Sequence, residues 1–103
     1  MNVLFIGDIV GPAAAAWVAA RVPALRREHA LDLVVANGEN AAISATTPWE
    51  GFGLTPALVE QLLAGVGNVV PSGNHGWDGP EAAAAPAHPH ALRPANVPGH
   101  LPG

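Results

Sequence analysis

Polar side chains with metal-binding or proton-transferring chemistry follow three apolar segments of the sequence, each at the point where the segment ends. The first segment leads to Asp8, the second to Glu39 and Asn40, and the third to Asn74 and His75. Oxygen donors combined with an imidazole suit Mn²⁺, iron or Mg²⁺. A carboxylate can bridge two cations about 3.5–4 Å apart, as in metal-assisted phosphoester hydrolysis. Glu39, the longer of the two carboxylates, is the better candidate for that bridge.

Each of these residues also has a simpler structural interpretation. Asp and Asn commonly cap turns, so Asp8 and Asn40 could each do only that. His75 could simply pack on the ring of Trp77. The occurrence of such residues at three successive segment ends favours a common site.

Several other residues are of types found in functional sites, but packing or loop roles explain them better. Trp17 and Trp77 are predicted to be packing residues. His88 and His90 lie two positions apart, but flanking prolines favour solvated loop residues over metal ligands. The "GDIVG" stretch lacks both the G-x-G-x-x-G pattern and a G-K-[ST] ending, so it only weakly indicates phosphate or dinucleotide binding.

The elements that must position the polar residues are alternating strands and helices. Apolar runs at 2–7, 31–38 and 66–73 are typical of buried strands, and Pro71 weakens the third. The order β-α-β-α-β-α predicts an α/β fold of parallel βαβ units. Because the carboxyl ends of parallel strands meet at one edge of the sheet, the polar residues are expected to lie together there.

Two helical segments are predicted between these strands. The first begins after Gly11 with Pro12, and Pro23 within it predicts a kink or a short second helix. The second has Thr55 as its N-cap and is predicted to stop at Gly65.

The remaining segments have loop composition. Residues 40–54 are rich in turn-forming types, and one or two Ala-rich helical turns are predicted after residue 80. Residues 86–103 hold five of the eleven prolines of the chain and are predicted to form an irregular, extended tail.

Composition limits the classes of partner. The chain has 103 residues, half of them hydrophobic, which suits one small domain. It has four arginines, no lysine and a formal net charge of −4, so a long nucleic acid is a disfavoured partner. A small phosphate would then need a metal to supply positive charge. The absence of cysteine excludes disulfides, zinc knuckles and thiol catalysis.

Neither a membrane-spanning run nor a signal-peptide pattern is present in the sequence. A cytoplasmic protein without membrane partners is therefore expected.

Four segments in order carry a family resemblance: "LFIGDIVG", "VVANGENAA", "GNHGWD" and "LRPANVPG". Together they resemble the bacterial YmdB-like metallophosphoesterases of the calcineurin-like superfamily, several of which are 2′,3′-cyclic-nucleotide phosphodiesterases. The resemblance implies the N-terminal βαβαβα part of an α/β/β/α sandwich. It also implies two divalent metal ions, iron, manganese or magnesium, acting on a small phosphoester substrate.

The resemblance also implies a role for each candidate residue. Asp8 would bind one metal, Glu39 would bridge the pair and Asn74 would bind the second metal. Asn40 would lie close to the metals and the substrate. His75 would be the general acid or would stabilise the transition state, while a water activated by the metals would be the nucleophile.

The chain departs from the family pattern in three respects. The further metal-binding histidines of the family are missing, and His88, His90 and His100 fall in the wrong segment to replace them. Pro71 stands where a strand-compatible residue is expected, and the loop at 43–53 differs. Residues 1–103 are therefore expected to be one partial domain that leaves an apolar sheet face exposed.

Three hypotheses follow for function. The leading one is the N-terminal part of a metal-dependent phosphodiesterase. The second is an inactive remnant that binds metal weakly or pairs with another chain, including a second copy of itself, through the exposed face. The third is a small nucleotide-binding module that uses the turn at 7–11.

Overall fold

The computed structural model describes residues 1–43, 53–79, 81 and 84–101. The unusual loop predicted at 43–53 therefore lies outside the described residues except at its two ends. The described elements are, in order, β1 (Val3–Ile6), α1 (Pro12–Glu28), β2 (Leu33–Ala36), α2 (Pro56–Val66), β3 (Val70–Pro71), a 3₁₀ helix (Ala85–Ala87) and β4 (Ala91–Leu92).

The strands are parallel, and strands that follow one another in the chain are neighbours in space. β1 pairs with β2 in a register that aligns Val3 with Leu33, and β3 pairs with β4. A parallel bridge between Val35 and Val69 joins the two pairs. The predicted α/β fold of parallel βαβ units is confirmed.

Helix α1 is continuous through Pro23, so of the two predicted alternatives, a kink or a short second helix, the second helix does not occur. Pro12 opens the first turn, and Ala15, Val18 and Val22 form the buried stripe. Pro23 removes one backbone donor, but a single lost hydrogen bond does not end a helix that is packed along its length.

Helix α2 begins as predicted and ends later than predicted. The Thr55 hydroxyl accepts a hydrogen bond from the Leu58 N–H at 3.3 Å, and Pro56 occupies the first turn. The helix continues through Gly65 to Val66, and Gly67, at φ +79°, forms the C-cap. Gly65 lies directly against the backbone of Ala19 in α1, where a Cβ atom would collide with it.

Strand β3 is shorter than the predicted 66–73. The Pro71 carbonyl accepts from the Gly38 N–H at 3.0 Å, so this position faces β2. The missing proline N–H removes a ladder bond on the same side. This explains why β2 and β3 share the isolated bridge between Val35 and Val69 and no continuous ladder.

The segment 86–103, predicted to be an irregular, extended tail, contains a short strand. β4 lies there and bonds to β3 on both sides of Pro71, from the Val70 N–H to the His90 carbonyl and from the Ser72 N–H to the Leu92 carbonyl. A two-residue strand is too short to produce a hydrophobic period in the sequence.

One hydrophobic core lies between the sheet and the two helices. Its fully buried large side chains are Val22, Val34, Val59, Leu62, Val66 and Val70.

None of the helices in the described part of the chain is long and apolar enough to cross a membrane.

The opposite face of the sheet is apolar and exposed, as the sequence predicted. Val3 is 48% exposed and Phe5 64%, and their register partners Leu33 and Val35 are half-buried.

Trp17 is 67% exposed on the outer side of α1, so its prediction as a packing residue is wrong. Its position falls between the buried positions of the helix, and the side chain therefore faces outward.

Candidate active site at the carboxyl edge of the sheet

Glu39 links the ends of β2 and β3. Its Oε1 accepts a hydrogen bond from the backbone N–H of His75 at 3.1 Å. The carboxylate lies over Gly73, where a Cβ atom would collide with it. The Glu39 carboxylate can therefore reach the loop after β3 because residue 73 has no side chain.

Asp8 and Asn40 link the ends of β1 and β2. The Asn40 amide nitrogen donates to both Asp8 carboxylate oxygens, at 3.0 and 2.9 Å. The two loops are also joined through the backbone, since the N–H groups of Ile9 and Gly11 donate to the carbonyls of Asn37 and Asn40 at 3.0 Å. This network fixes Asp8 beside the turn that carries Glu39.

The local turn is capped by a different asparagine. The Asn37 side-chain oxygen accepts from the Glu39 N–H at 2.9 Å, a short-range cap of the usual kind. Asn40 instead uses its side chain across the sheet edge. The simple capping interpretation therefore applies to Asn37 and does not account for the contact between Asp8 and Asn40.

His75 and Asn74 lie in the turn that follows β3. The His75 Nδ1 is 2.7 Å from an Asp78 carboxylate oxygen, and the His75 side chain is 34% exposed. Asn74 is exposed, and its side chain makes no hydrogen bond to another described residue. The structure thus brings the backbone of His75 to Glu39, while it leaves the Asn74 amide unengaged.

The electrostatics of this edge are one-sided. Within the described residues, neither Asp8 nor Glu39 has a cationic side chain at ion-pair distance. The Asn40 Oδ1 is buried and has no hydrogen-bond partner there. Turning the Asn40 amide by 180° would place Oδ1 beside the negatively charged Asp8 carboxylate. Repulsion between these oxygens therefore favours the observed orientation, in which the NH₂ group faces Asp8.

These donors fit a hard divalent cation by their chemistry. Two carboxylates without a counter-charge and an orphaned buried amide oxygen are oxygen ligands of the type that such ions prefer. Within residues 1–43, 53–79, 81 and 84–101, no group of three or more His, Asp or Glu side chains is arranged to hold a metal ion. A cation here would therefore depend on amide oxygens as well as on the two carboxylates.

Sequence reasoning missed two contributors to this edge. Asp78 follows His75 by three residues in "HGWD", a spacing that a turn brings together, and this signal was available. The need for Gly73 was not visible, because it arises from Glu39, distant in the sequence.

The two histidines of the "HPH" segment are more engaged than predicted. The His90 Nδ1 lies 2.9 Å from the Asn68 carbonyl, and the His88 Nε2 lies 3.5 Å from Glu60. They belong to no metal-binding group among the described residues. The His90 contact lies at the start of β3, away from Asp8 and Glu39, and the His88 contact is with helix α2.

Comparison with known proteins assigns the chain to a family. The sequence model of a family described as "YmdB-like protein" matches residues 4–103. The chain belongs to the YmdB-like family. A 2′,3′-cyclic-nucleotide 2′-phosphodiesterase of Bacillus subtilis (strain 168) is 36% identical over 104 residues, which cover 100% of this chain and 37% of that relative.

Two solved structures share the fold of this YmdB-like chain. A protein of Thermus thermophilus superposes with a TM-score of 0.79 at 39% identity, over 100% of this chain and 37% of that one. A phosphatase from Mycoplasma pneumoniae superposes with a TM-score of 0.75 at 30% identity, over 93% of this chain and 32% of that one. The chain thus spans only about a third of the length of these relatives.

Proposed function

We propose that the native protein containing this chain is a metal-dependent phosphodiesterase that hydrolyses small phosphoesters, with 2′,3′-cyclic nucleotides as the substrate class. The observation that carries the proposal is that the carboxylates of Asp8 and Glu39, which follow β1 and β2 at the carboxyl edge of the sheet, have no cationic partner among the described residues. The relatives from Bacillus subtilis and Mycoplasma pneumoniae, a 2′,3′-cyclic-nucleotide 2′-phosphodiesterase and a phosphatase, support the same reaction class.

Asp8, Glu39 and Asn74 would hold two divalent cations of iron, manganese or magnesium, with Asn40 beside them. Such ions would activate a water molecule and neutralise the phosphoryl charge. The chain itself contributes the arrangement of the donors. Glu39 is held by the His75 N–H and by the space over Gly73, and Asp8 is held by the Asn40 amide.

His75 would give a proton to the leaving oxygen. Attack of water on phosphorus forms one P–O bond as the ester P–O bond breaks. The departing alkoxide takes up the His75 proton, and the attacking water releases one of its own protons to the solvent. Hydrolysis of a 2′,3′-cyclic nucleotide at the 2′ ester would leave a 3′-monophosphate and a free 2′-hydroxyl group. The chain has only four basic residues and a formal net charge of −4, which agrees with a small substrate and not with a long nucleic acid.

The test is Glu39→Gln in the native protein. Loss of one charge at the proposed bridging position should lower metal-dependent hydrolysis of a 2′,3′-cyclic nucleotide by more than about 100-fold, since changes to outer-shell residues alone cost 10–100-fold. Glu28→Gln is the matched control, because among the described residues the Glu28 side chain makes an exposed ion pair with Arg21 and no other polar contact. Equal activity of the two variants would refute the proposal.

The exposed apolar face favours one alternative, a chain that pairs with a second copy or another protein through Val3 and Phe5 without catalysis. This alternative predicts oligomers in light scattering and no turnover at any metal concentration. A nucleotide-binding module would instead retain ligand after chelation of divalent ions.

A further inference from the structure

We propose that Asp78 is a positioning residue that fixes the ring of His75 for proton transfer, an inference that rests on the phosphodiesterase function proposed above. The carboxylate oxygen of Asp78 lies 2.7 Å from the His75 Nδ1. Among the described residues, Asp78 and His75 belong to no group of three acidic or histidine side chains that could hold a metal ion. Asp78 would therefore act through His75 and not on the cations.

The contact is not needed to close the turn. Backbone hydrogen bonds already do so, from the Gly76 N–H to the Gly73 carbonyl and from the Asp78 N–H to the His75 carbonyl, both at 3.0 Å. The pairing of the two side chains is therefore an addition to a turn that is already formed.

A second contact holds the backbone of both residues at a fixed spacing. Gly53, at φ +104°, packs so closely that a Cβ atom there would lie 2.7 Å from the His75 carbonyl oxygen and 2.8 Å from that of Asp78. The Gly53 carbonyl in turn accepts from the Ala42 N–H at 3.0 Å, which connects it to the loop after β2. The pair is thus anchored to the same loop that carries Glu39.

The chemistry of the pair selects one ring nitrogen. A carboxylate only accepts hydrogen bonds, so the His75 Nδ1 facing Asp78 carries a hydrogen. The Nε2 is then the nitrogen that exchanges a proton with the substrate. An acidic partner that orients a histidine in this way is a general feature of histidine chemistry.

The test compares Asp78→Ala and Asp78→Asn with Asp32→Asn in the native protein. Asp32 is the matched control, since its carboxylate accepts a hydrogen bond from the Asn2 N–H at 2.7 Å at the opposite edge of the sheet. We expect Asp78→Ala to lower kcat about 10–100-fold with KM nearly unchanged, and Asp32→Asn to leave kcat unaltered. Asp78→Asn, which retains an acceptor without the charge, should fall between.

A spectroscopic measurement separates this inference from the function on which it rests. In ¹⁵N NMR of histidine-labelled protein, with the His75 signals identified by their loss in His75→Gln, the wild type should show a protonated Nδ1. Asp78→Ala should shift His75 towards the Nε2-protonated tautomer, and Asp32→Asn should not.

Each outcome decides a separate point. Absence of phosphodiester hydrolysis in the wild type would overturn the proposed function, and the tautomer result would still decide the role of Asp78. A wild-type His75 protonated at Nε2 alone would overturn the positioning role. So would an Asp78→Ala variant whose full kcat returns at higher Mn²⁺ concentration, because that would make Asp78 a metal ligand.

Discussion

The two edges of the sheet carry similar polar residues and treat them in opposite ways. At the edge where the strands begin, the Asn2 amide donates to the carbonyls of His29 and Ala30, and its backbone N–H donates to Asp32. Nearby, the Asn68 side-chain oxygen accepts from the Arg26 guanidinium and from the Val34 N–H. The polar groups of this edge are used to hold strands and helices together.

The edge where the strands end is left electrostatically incomplete. Asp8 and Glu39 have no cationic partner in the described part of the chain, and the Asn40 Oδ1 has no partner of any kind there. Unpaired buried polar atoms cost stability. The contrast agrees with the proposal that one edge serves folding and that the other serves a ligand.

Substitution of two glycines, one at each kind of contact, is expected to give the largest effects that test this contrast. A Cβ atom at Gly65 would collide with the backbone of Ala19, whereas at Gly73 it would collide with the Glu39 carboxylate. Gly65→Ala should destabilise the fold by about 3 kcal/mol, the upper end for overpacking, because helix backbones cannot move aside easily. Gly73→Ala should fold normally, since a side chain can rotate away, but should lose hydrolysis as Glu39 is displaced.

Urea unfolding and an activity assay on the native protein measure the two effects. Comparable losses of stability in both variants would contradict the division between the edges.

Asn68→Leu tests the edge where the strands begin. The substitution leaves the Val34 N–H of the central strand without an acceptor, at an expected cost of about 2 kcal/mol in the free energy of unfolding. Hydrolysis by the folded fraction should be unchanged. A stable Asn68→Leu variant with impaired turnover would show that this edge also serves catalysis.

Thr55→Ala gives the smallest expected effect. Thr55 caps the start of α2, which lies on the side of the sheet where the strands end. Loss of the hydrogen bond to the Leu58 N–H should cost about 1 kcal/mol, and Thr55→Ser should restore most of it. A lowered unfolding midpoint with unchanged metal-dependent activity is the expected result, and loss of activity in the folded protein would argue against it.

The elements with a long hydrophobic pattern were predictable from the sequence. β1, β2 and the start of α2 lie where their apolar runs and the Thr55–Pro56 cap placed them. The parallel arrangement of the strands was enough to predict that the loops after them cluster at one edge of the sheet. It correctly predicted that the residues after β1, β2 and β3 would approach one another.

The parts that could not be predicted depend on contacts between distant residues. β4 is specified by its pairing with β3 and not by its own two residues. Gly65 resembles a helix stop in the sequence, yet its role is to let α2 approach Ala19. The roles of Asp8, Glu39 and Asn74 in metal binding stay predictions.

The order of the strands has a consequence for how the chain folds. Because each strand pairs with the one made just before it, every new unit can add to a structure that already exists, starting from the amino end. No strand described here has to insert between two earlier ones. The turn carrying His75 follows the third strand in the chain, so during synthesis the groups proposed for catalysis can come together only after the first two strands and both helices have been made.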